Sequence, residues 1–387
     1  MKRKLLSILL ATAMVSGILA GCGSTTTETE APVATEAAAL EETEAVDEEV
    51  TEEEAAEAGE AAATEAAAEV GGDISGKTFA LVTKSAGNPY NEKKAEGFQQ
   101  VIEAMGGECI VRHPEQATAD AQVSVIQSLI SQGVDSIAIA GNDENALQAA
   151  LEEAMEAGIK VSSIDSKVNA DSRQTFINQA GTEQIGQTLM DAVYDIAGGE
   201  GQWAILSATS QAANQNAWID AMKAVMEADE KYANLELVEV AYGDDEPQKS
   251  TDQTQALLDK YADLKVICAP TTVGINAAAK VLQDKGSSVK LTGLGLPSEM
   301  VEYIGDGDDS SCPYMYLWNP VDLGKLGAYS SIALVQETIT GAVGDTFEAG
   351  EMGSYEVVEA ADGGTEIILG APFKFDSSNI EEWAAIY

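Results

Sequence analysis

The chain has 387 residues, of which 45% are hydrophobic, and a formal net charge of −44. A chain this acidic lacks the basic patches that a nucleic-acid backbone requires, which excludes a nucleic-acid partner. About 310 residues remain once an N-terminal leader and an acidic segment are set aside, enough for two lobes with separate cores.

The first 21 residues have the features of an export signal. Three bases at residues 2–4 precede an apolar stretch over residues 5–19, which is too short to span a membrane. The sequence LAGC at residues 19–22 resembles the lipobox of bacterial lipoproteins. That resemblance implies a signal peptide over residues 1–21, cleavage before Cys22, and lipid on the new N-terminal cysteine. An ordinary secretory signal with an incidental cysteine is the alternative.

Residues 22–76 are predicted to form a disordered acidic tether between the lipid and the folded part. Glu, Ala and Thr dominate residues 23–75, and neither Lys nor Arg occurs there. Such a composition cannot bury enough apolar surface to offset the entropy of ordering. Like charges also repel one another and extend the segment.

The next part of the chain alternates short apolar runs with longer amphipathic ones. The apolar runs predict strands at residues 77–83, 108–112, 134–140 and 159–164. The amphipathic runs predict helices at residues 90–105, 120–132 and 144–157, each followed by glycine. This order predicts a parallel sheet covered by helices on both faces.

The same alternation then repeats. Helices are predicted at residues 183–197, 214–228, 249–260 and 275–285. Strands are predicted at residues 201–207, 235–241, 264–269 and 289–294. The pattern therefore predicts two similar α/β lobes in one chain. A dinucleotide-binding fold is the alternative, but no GxGxxG sequence follows the first predicted strand.

Polar side chains follow most of the predicted strands. Because ligands bind at the carboxyl ends of parallel strands, these side chains are expected to line a cleft between the lobes. Hydrogen-bonding groups and aromatic rings suit a sugar, which presents hydroxyls around an apolar ring. Polar loop ends that only cap helices are the competing interpretation. The candidates are Lys84, Asn88, Tyr90, Asn142, Asp143, Asp165, Ser210, Asn214, Gln215, Thr271, Thr272, Trp318 and Asn319.

Among these candidates, Asp165 is the strongest, because it ends an apolar strand where an ionised group needs water or a partner. The sequence contains few of the patterns that are typical of enzyme active sites. The one histidine, His113, lies in a polar loop, and no hydrolase elbow, zinc helix or P-loop sequence occurs. Asp143 and Asp165 leave glycoside hydrolysis open as an alternative. The sequence thus predicts a binding protein with no cofactor and no metal.

From residue 77 to residue 387, the chain resembles the type I periplasmic binding proteins of sugar ABC importers. The sequence LVTKSAGNPY at residues 81–90 is similar to the first strand and aromatic-bearing loop of that family. The sequence IDS at residues 164–166 is similar to the strand end whose aspartate binds sugar hydroxyls. The family often has Arg where this chain has Ser166, and a second Asp where it has Gly295. Those differences argue against recognition of the ribose or galactose type.

Within the family, the chain is most similar to the rhamnose-binding subfamily. The similarity lies in FINQA at 176–180, ANQNAW at 213–218, YGDD at 242–245, APTTVG at 269–274 and LWNPVDLG at 317–324. A sister subfamily, which binds the furanose autoinducer-2, typically has Asp-Gln in place of Asn214 and Gln215. It also typically has Pro-x-Ala where this chain has Pro270 and Thr272. Rhamnose is therefore favoured, with autoinducer-2 or another monosaccharide as the alternative.

The resemblance implies the remaining expectations. Residues 77–180 plus 319–348 would form the N-terminal lobe, and residues 181–318 plus 349–387 the C-terminal lobe. Three chain crossings near residues 180, 318 and 341–350 would form a hinge. Tyr90, Leu296 and Trp318 would supply an apolar wall for the sugar. The protein would be a monomer anchored outside the cell membrane by lipid, and an ABC permease and its ATPase would be its partners.

Overall fold

A computed structural model of the protein describes residues 68–69, 72–307 and 310–387. The predicted signal peptide, the lipidation site Cys22 and residues 22–67 of the predicted tether lie outside these ranges. No helix in the described part of the chain is long and apolar enough to cross a membrane.

The described residues form sixteen strands and ten helices. The strands are β1 (Ala68–Glu69), β2 (Thr78–Val82), β3 (Glu108–Arg112), β4 (Ser136–Ile139), β5 (Lys160–Ile164), β6 (Thr175–Asn178), β7 (Gly201–Ser207), β8 (Leu235–Tyr242), β9 (Leu264–Ala269), β10 (Lys290–Gly293), β11 (Tyr314–Leu317), β12 (Thr346–Glu348), β13 (Ser354–Glu356), β14 (Val358–Glu359), β15 (Thr365–Ile368) and β16 (Phe373–Asp376). The helices are α1 (Pro89–Ala104), α2 (Ala119–Gln132), α3 (Gln148–Glu156), α4 (Thr182–Ala197), α5 (Ala213–Ala228), α6 (Pro247–Lys260), α7 (Thr272–Lys285), α8 (Pro297–Met300), α9 (Pro320–Val335) and α10 (Ile380–Ala384).

The N-terminal lobe is built on a seven-stranded sheet with the order β14-β15-β6-β5-β4-β2-β3. All its pairs are parallel except β14 with β15. Successive residues of β2 face opposite sides, so Phe79 and Leu81 pack with α1 and α9, while Ala80 and Val82 pack with α2 and α3. Both faces of the central strands are buried, which explains the mainly apolar residues of β2 and β4.

The C-terminal lobe contains a parallel four-stranded sheet with the order β10-β9-β7-β8. Helix α4 packs on α5 and helix α6 on α7, and α4, α6 and α7 contact the sheet. An antiparallel pair, β11 with β16, joins the lobe beside β10 through a bridge between Leu294 and Tyr316. Two helix-covered parallel sheets confirm the predicted two-lobed α/β fold.

The chain crosses between the lobes three times. Two crossings lie after β6 and after β11. The third prediction, at residues 341–350, was wrong, because β14 and β15 pair with the N-terminal sheet and only β16 returns to the C-terminal lobe. Residues 349–368 therefore belong with the N-terminal lobe, and the crossing lies between Ile368 and Phe373.

The predicted tether also extended too far along the chain. Strand β1 pairs in parallel with β12, and Ile74 is buried in the core. The folded part thus begins before residue 77. The other large difference is α3, which starts at Gln148 and not at the predicted residue 144. Most of the remaining predicted boundaries agree with the structure to within two residues.

Helices α1 and α9 begin with the same local sequence, Asn-Pro. Asn88 accepts a hydrogen bond from the Tyr90 amide at 3.0 Å, and Asn319 accepts one from the Val321 amide at 2.9 Å. Proline at the first helical position is favourable because it has no amide hydrogen that would go unsatisfied there. These two caps place Tyr90 and Trp318 at the boundary between the lobes.

Helices α1 and α9 approach each other closely at two glycines. A Cβ atom on Gly97 would lie 2.0 Å from the Val321 carbonyl oxygen, and one on Gly324 would lie 2.0 Å from the Lys94 carbonyl oxygen. Only a residue without a side chain fits at such a distance. This contact holds the start of α1, and hence Tyr90 and Lys94, against the N-terminal sheet.

We predict that Gly97→Ala lowers the free energy of unfolding by about 1–3 kcal/mol, because the added methyl group would push α1 and α9 apart. Helix propensity alone would favour alanine by about 1 kcal/mol, so a loss identifies the close approach as the dominant effect. Glu96→Ala, at an exposed position of the same helix, should stay within about 0.5 kcal/mol of the unmodified protein. Urea unfolding of both variants measures the difference, and a gain in stability for Gly97→Ala would contradict it.

Candidate ligand-binding site

A cavity, partly open to solvent, lies between the two lobes at the carboxyl ends of their strands. It brings together ten of the residues predicted for a ligand site: Lys84, Asn88, Tyr90, Asp165, Asn214, Gln215, Pro270, Thr271, Thr272 and Trp318. Asn91, Trp218, Asp245, Leu294 and Leu317 complete the lining.

Asp165 accepts hydrogen bonds from two other side chains at the cavity. It follows β5 in the left-handed backbone region, with φ of 68°, and its amide donates to the Ile177 carbonyl at 3.0 Å. Its side chain is buried, and the carboxylate accepts from the Tyr90 hydroxyl at 3.1 Å and from Lys94 Nζ at 2.7 Å. Aspartate is among the few residues that tolerate this backbone conformation. The turn directs its carboxylate toward the cleft.

The Tyr90 hydroxyl is engaged on both sides. It donates to Asp165 and accepts from Trp318 Nε1 at 2.7 Å. Burial and, to a smaller extent, the nearby Asp165 carboxylate raise the pKa of Tyr90 well above its usual value. The phenol therefore stays protonated and remains a donor to Asp165 at any physiological pH.

Lys84 connects the two lobes. It follows β2 in the N-terminal lobe, and its Nζ donates to Asn214 Oδ1 at 2.6 Å and to Gln215 Oε1 at 3.2 Å on α5. The Asn142 amide donates to the Lys84 carbonyl at 2.9 Å and holds its loop. Burial lowers the pKa of Lys84, while the carboxylates of Asp165 and Asp245 act in the opposite direction.

The charges around the cavity balance. Asp245 follows β8, and burial raises the pKa of its carboxyl, which accepts a hydrogen bond from Thr271. The two positive charges of Lys84 and Lys94 balance the two negative charges of Asp165 and Asp245. A site whose own charges cancel suits an uncharged polar ligand, since a charged one would lack a counterion there. Among the described residues, no group of His, Cys, Asp and Glu side chains could hold a metal ion.

One side of the cavity is aromatic. The Trp318 ring centroid lies 5.7 Å from that of Trp218 and 6.4 Å from that of Tyr90, with edge-to-face geometry. Leu294 and Leu317 lie beside them. Because Trp318 Nε1 and the Tyr90 hydroxyl bond to each other, this wall presents mainly carbon to a ligand.

Five predicted site residues lie outside the cavity. Asp143 accepts from the amides of Asn145 and Ala146 at 2.9 and 2.8 Å, so its carboxylate caps a turn. Asn319 caps α9 instead of facing the cleft. For these two residues capping is the physical reason, which was the competing interpretation.

The other three have different surroundings. Leu296 is buried in the core of the C-terminal lobe, and Leu294 and Leu317 occupy the apolar wall in its place. The Asn142 side chain donates to the Lys84 carbonyl, and the Ser210 carbonyl accepts from the Asn216 side chain.

Several site residues were missed by the sequence reasoning, and three of them carried a signal. Lys94 lies one helical turn after Tyr90 on the buried face of α1, where a lysine is unusual. Trp218 stands in the same relation to Asn214 on α5. Asp245 follows the end of β8 closely, as the predicted candidates follow their strands.

The sequence and the fold of this chain are similar to those of known proteins. A family model described as a periplasmic binding protein domain matches residues 79–338. An ABC transporter solute binding protein from Clostridium phytofermentas with bound L-rhamnose is 62% identical, with 80% of this chain and 99% of that chain covered and a TM-score of 0.79. A sugar ABC transporter protein from Actinomyces odontolyticus is 38% identical, with 81% and 99% covered and a TM-score of 0.64.

A more distant structure shares the fold. LsrB from Clostridium saccharobutylicum in complex with AI-2 is 22% identical, with 79% of this chain and 99% of that chain covered and a TM-score of 0.73.

Proposed function

Because the chain belongs to the periplasmic binding protein family, we propose that it is the extracytoplasmic solute-binding component of a sugar ABC importer and that L-rhamnose is its ligand. The observation that carries this proposal is the interlobe cavity, whose polar side chains are paired without net charge beside an aromatic wall. The rhamnose-bound protein from Clostridium phytofermentas supports the choice of sugar, since 62% identity extends over its whole length.

The aromatic wall favours a 6-deoxy sugar in particular. L-Rhamnose presents a methyl group where L-mannose presents a hydroxymethyl group. Tyr90, Trp218 and Trp318 form this wall, and the polar atoms of Tyr90 and Trp318 already bond to each other. An extra hydroxyl against the wall would therefore be buried without a hydrogen-bond partner. The cost of such a hydroxyl is about 1–3 kcal/mol.

Binding would be coupled to lobe closure. The three crossings connect the two lobes, and Lys84 donates hydrogen bonds to Asn214 and Gln215 across the cleft. A sugar that hydrogen-bonds both lobes stabilises the closed arrangement over an open one. The ABC permease, with its ATPase, would recognise that closed form of the monomeric protein.

The site is proposed to bind and not to transform its ligand. Of the two carboxylates considered for glycoside hydrolysis, Asp143 caps a turn outside the cavity, so only Asp165 could face a sugar. Hydrolysis requires an acid and a second carboxylate on opposite sides of the scissile bond. Asp245 accepts from Thr271 and lies beside Lys84, an arrangement suited to holding hydroxyl groups.

The first prediction concerns the ligand. Competition calorimetry with L-rhamnose, L-mannose, D-ribose and autoinducer-2 should rank L-rhamnose first, with L-mannose at least tenfold weaker because of its buried hydroxyl. If autoinducer-2 binds most tightly, the sugar assignment is wrong while the importer assignment stands. If none of the four binds, the proposal of a sugar ligand fails.

The second prediction concerns Asp165, which should accept hydroxyl groups of the sugar through a charge-assisted hydrogen bond. Asp165→Asn should weaken L-rhamnose binding by about 2–4 kcal/mol, because the ionised acceptor is lost in a desolvated site. Asp143→Asn is the matched control, and its affinity should stay within about threefold, because Asp143 lies outside the cavity. Calorimetry on variants shown to be folded by thermal unfolding makes the comparison. A loss under tenfold for Asp165→Asn would count against the role.

The third prediction concerns the membrane anchor. The lipobox at residues 19–22 supports lipidation of Cys22 after signal cleavage. Cys22→Ser should release the protein into the medium or leave it unprocessed. Membrane fractionation with mass spectrometry of the mature N-terminus tests this, and a variant that stays membrane-bound at the processed mass would disprove the anchor.

A further inference from the structure

Lys94 is a fully buried lysine that borders the ligand site without lining it. Its Nζ lies 2.7 Å from Asp165 Oδ2, and the side chains of the pair are 0% and 6% exposed. The ammonium also lies 5.3 Å from the centre of the Tyr90 ring. Lys94 is absent from the set of residues that face the cavity. It can therefore influence a ligand only through its neighbours.

The surrounding packing shows that this burial is built into the fold. Lys94 lies at the crossing of α1 and α9, where its carbonyl oxygen would be 2.0 Å from a Cβ atom on Gly324. Placing an ammonium group in such a dry position is costly unless it is paired, and a buried ion pair adds little stability over apolar packing. The next lysine along, Lys93, instead lies at the surface with Glu96. Stability alone does not account for a lysine at position 94.

The hydrogen bonds of Asp165 indicate what Lys94 provides. Tyr90 donates to Oδ1 and Lys94 donates to Oδ2, so each oxygen has one protein donor. An ionised carboxylate has about four lone-pair positions, and about two remain for hydroxyl groups in the cavity. Two fixed donors also prevent the carboxylate from rotating, which preorganises the remaining positions for a pair of neighbouring hydroxyls.

We propose that Lys94 is a positioning residue for ligand binding, which holds the buried Asp165 carboxylate in the orientation that receives the sugar without touching the sugar itself. This inference rests on the proposed function, because it assumes that Asp165 receives sugar hydroxyl groups. It assigns to the site a member that neither lines the cavity nor was expected from the sequence.

Loss of Lys94 should make binding depend on pH. The charged and titratable groups that face Asp165 are Tyr90 and Lys94 on α1, Lys84 after β2 and Asp245 after β8. With Lys94 removed, Asp165 would lose the positive charge that lies 2.7 Å from its carboxylate, and burial would favour the neutral form. A protonated carboxyl group accepts fewer hydrogen bonds, so affinity would fall as the pH falls.

The test is L-rhamnose calorimetry on the full chain between about pH 5.5 and pH 8. The unmodified protein and the control Lys93→Met should change in Kd by less than about threefold across this range. Lys94→Met should bind more weakly at every pH and lose further affinity, by up to about tenfold per pH unit, as the pH falls. The double variant Lys94→Met/Asp165→Asn should bind weakly with no such slope, because the titrating carboxyl group is gone.

The double variant carries the same Lys94 substitution beside Lys84 and Asp245, so a slope that Lys94→Met shows and the double variant lacks belongs to Asp165. If Lys94→Met does not fold, Lys94→Gln keeps a neutral donor and should show the same slope. A folded Lys94→Met or Lys94→Gln variant with the flat profile of Lys93→Met would overturn the inference while leaving the proposed function intact. Failure of the unmodified protein to bind L-rhamnose would overturn both.

Discussion

Burial of charged side chains where the lobes meet is the constraint on which the site depends. Lys84, Lys94 and Asp165 are buried and Asp245 is half-buried, and each is stable there only because an opposite charge or a hydrogen-bonding group is near. The strand-end loops, the caps and the left-handed turn at Asp165 all bring these groups close together. A neutral ligand with many hydroxyl groups can enter such a set without disturbing its charge balance.

The N-terminal lobe carries the more rigid half of the site. Asp165 is held by an ion pair, a phenol and a backbone bond to β6, and α1 is held to α9 through the contact at Gly97 and Gly324. The C-terminal lobe contributes Asn214, Gln215, Thr272 and Trp218, whose links to the first lobe pass mainly through Lys84. This asymmetry suits a protein in which one lobe receives the ligand and the other closes over it.

Much of the site could be predicted because parallel strands end at a common edge. Lys84, Asp165, Asn214 and Thr272 each follow a strand or begin the next helix, and the cavity contains all four. Asp143 occupies an equivalent position in the chain, yet its carboxylate turns back to cap its own loop. Asp165 directly follows β5, whereas Asp143 comes four residues after the end of β4, but this spacing alone does not show where a carboxylate points. The direction of each carboxylate depends on whether the fold brings a buried donor such as Lys94 within hydrogen-bond distance of it.

The sequence by itself determined the fold class, the strand and helix order, and the strand ends that carry ligand-facing groups, because hydrophobic period and helix-ending glycines are local properties. Only the tertiary structure decided the third crossing, since β14 and β15 are too short to show a period and pair with a partner far away in the chain. It likewise decided the role of Lys94. A lysine on an apolar helix face becomes part of a site only when two helices pack closely enough to exclude water and a carboxylate lies within reach.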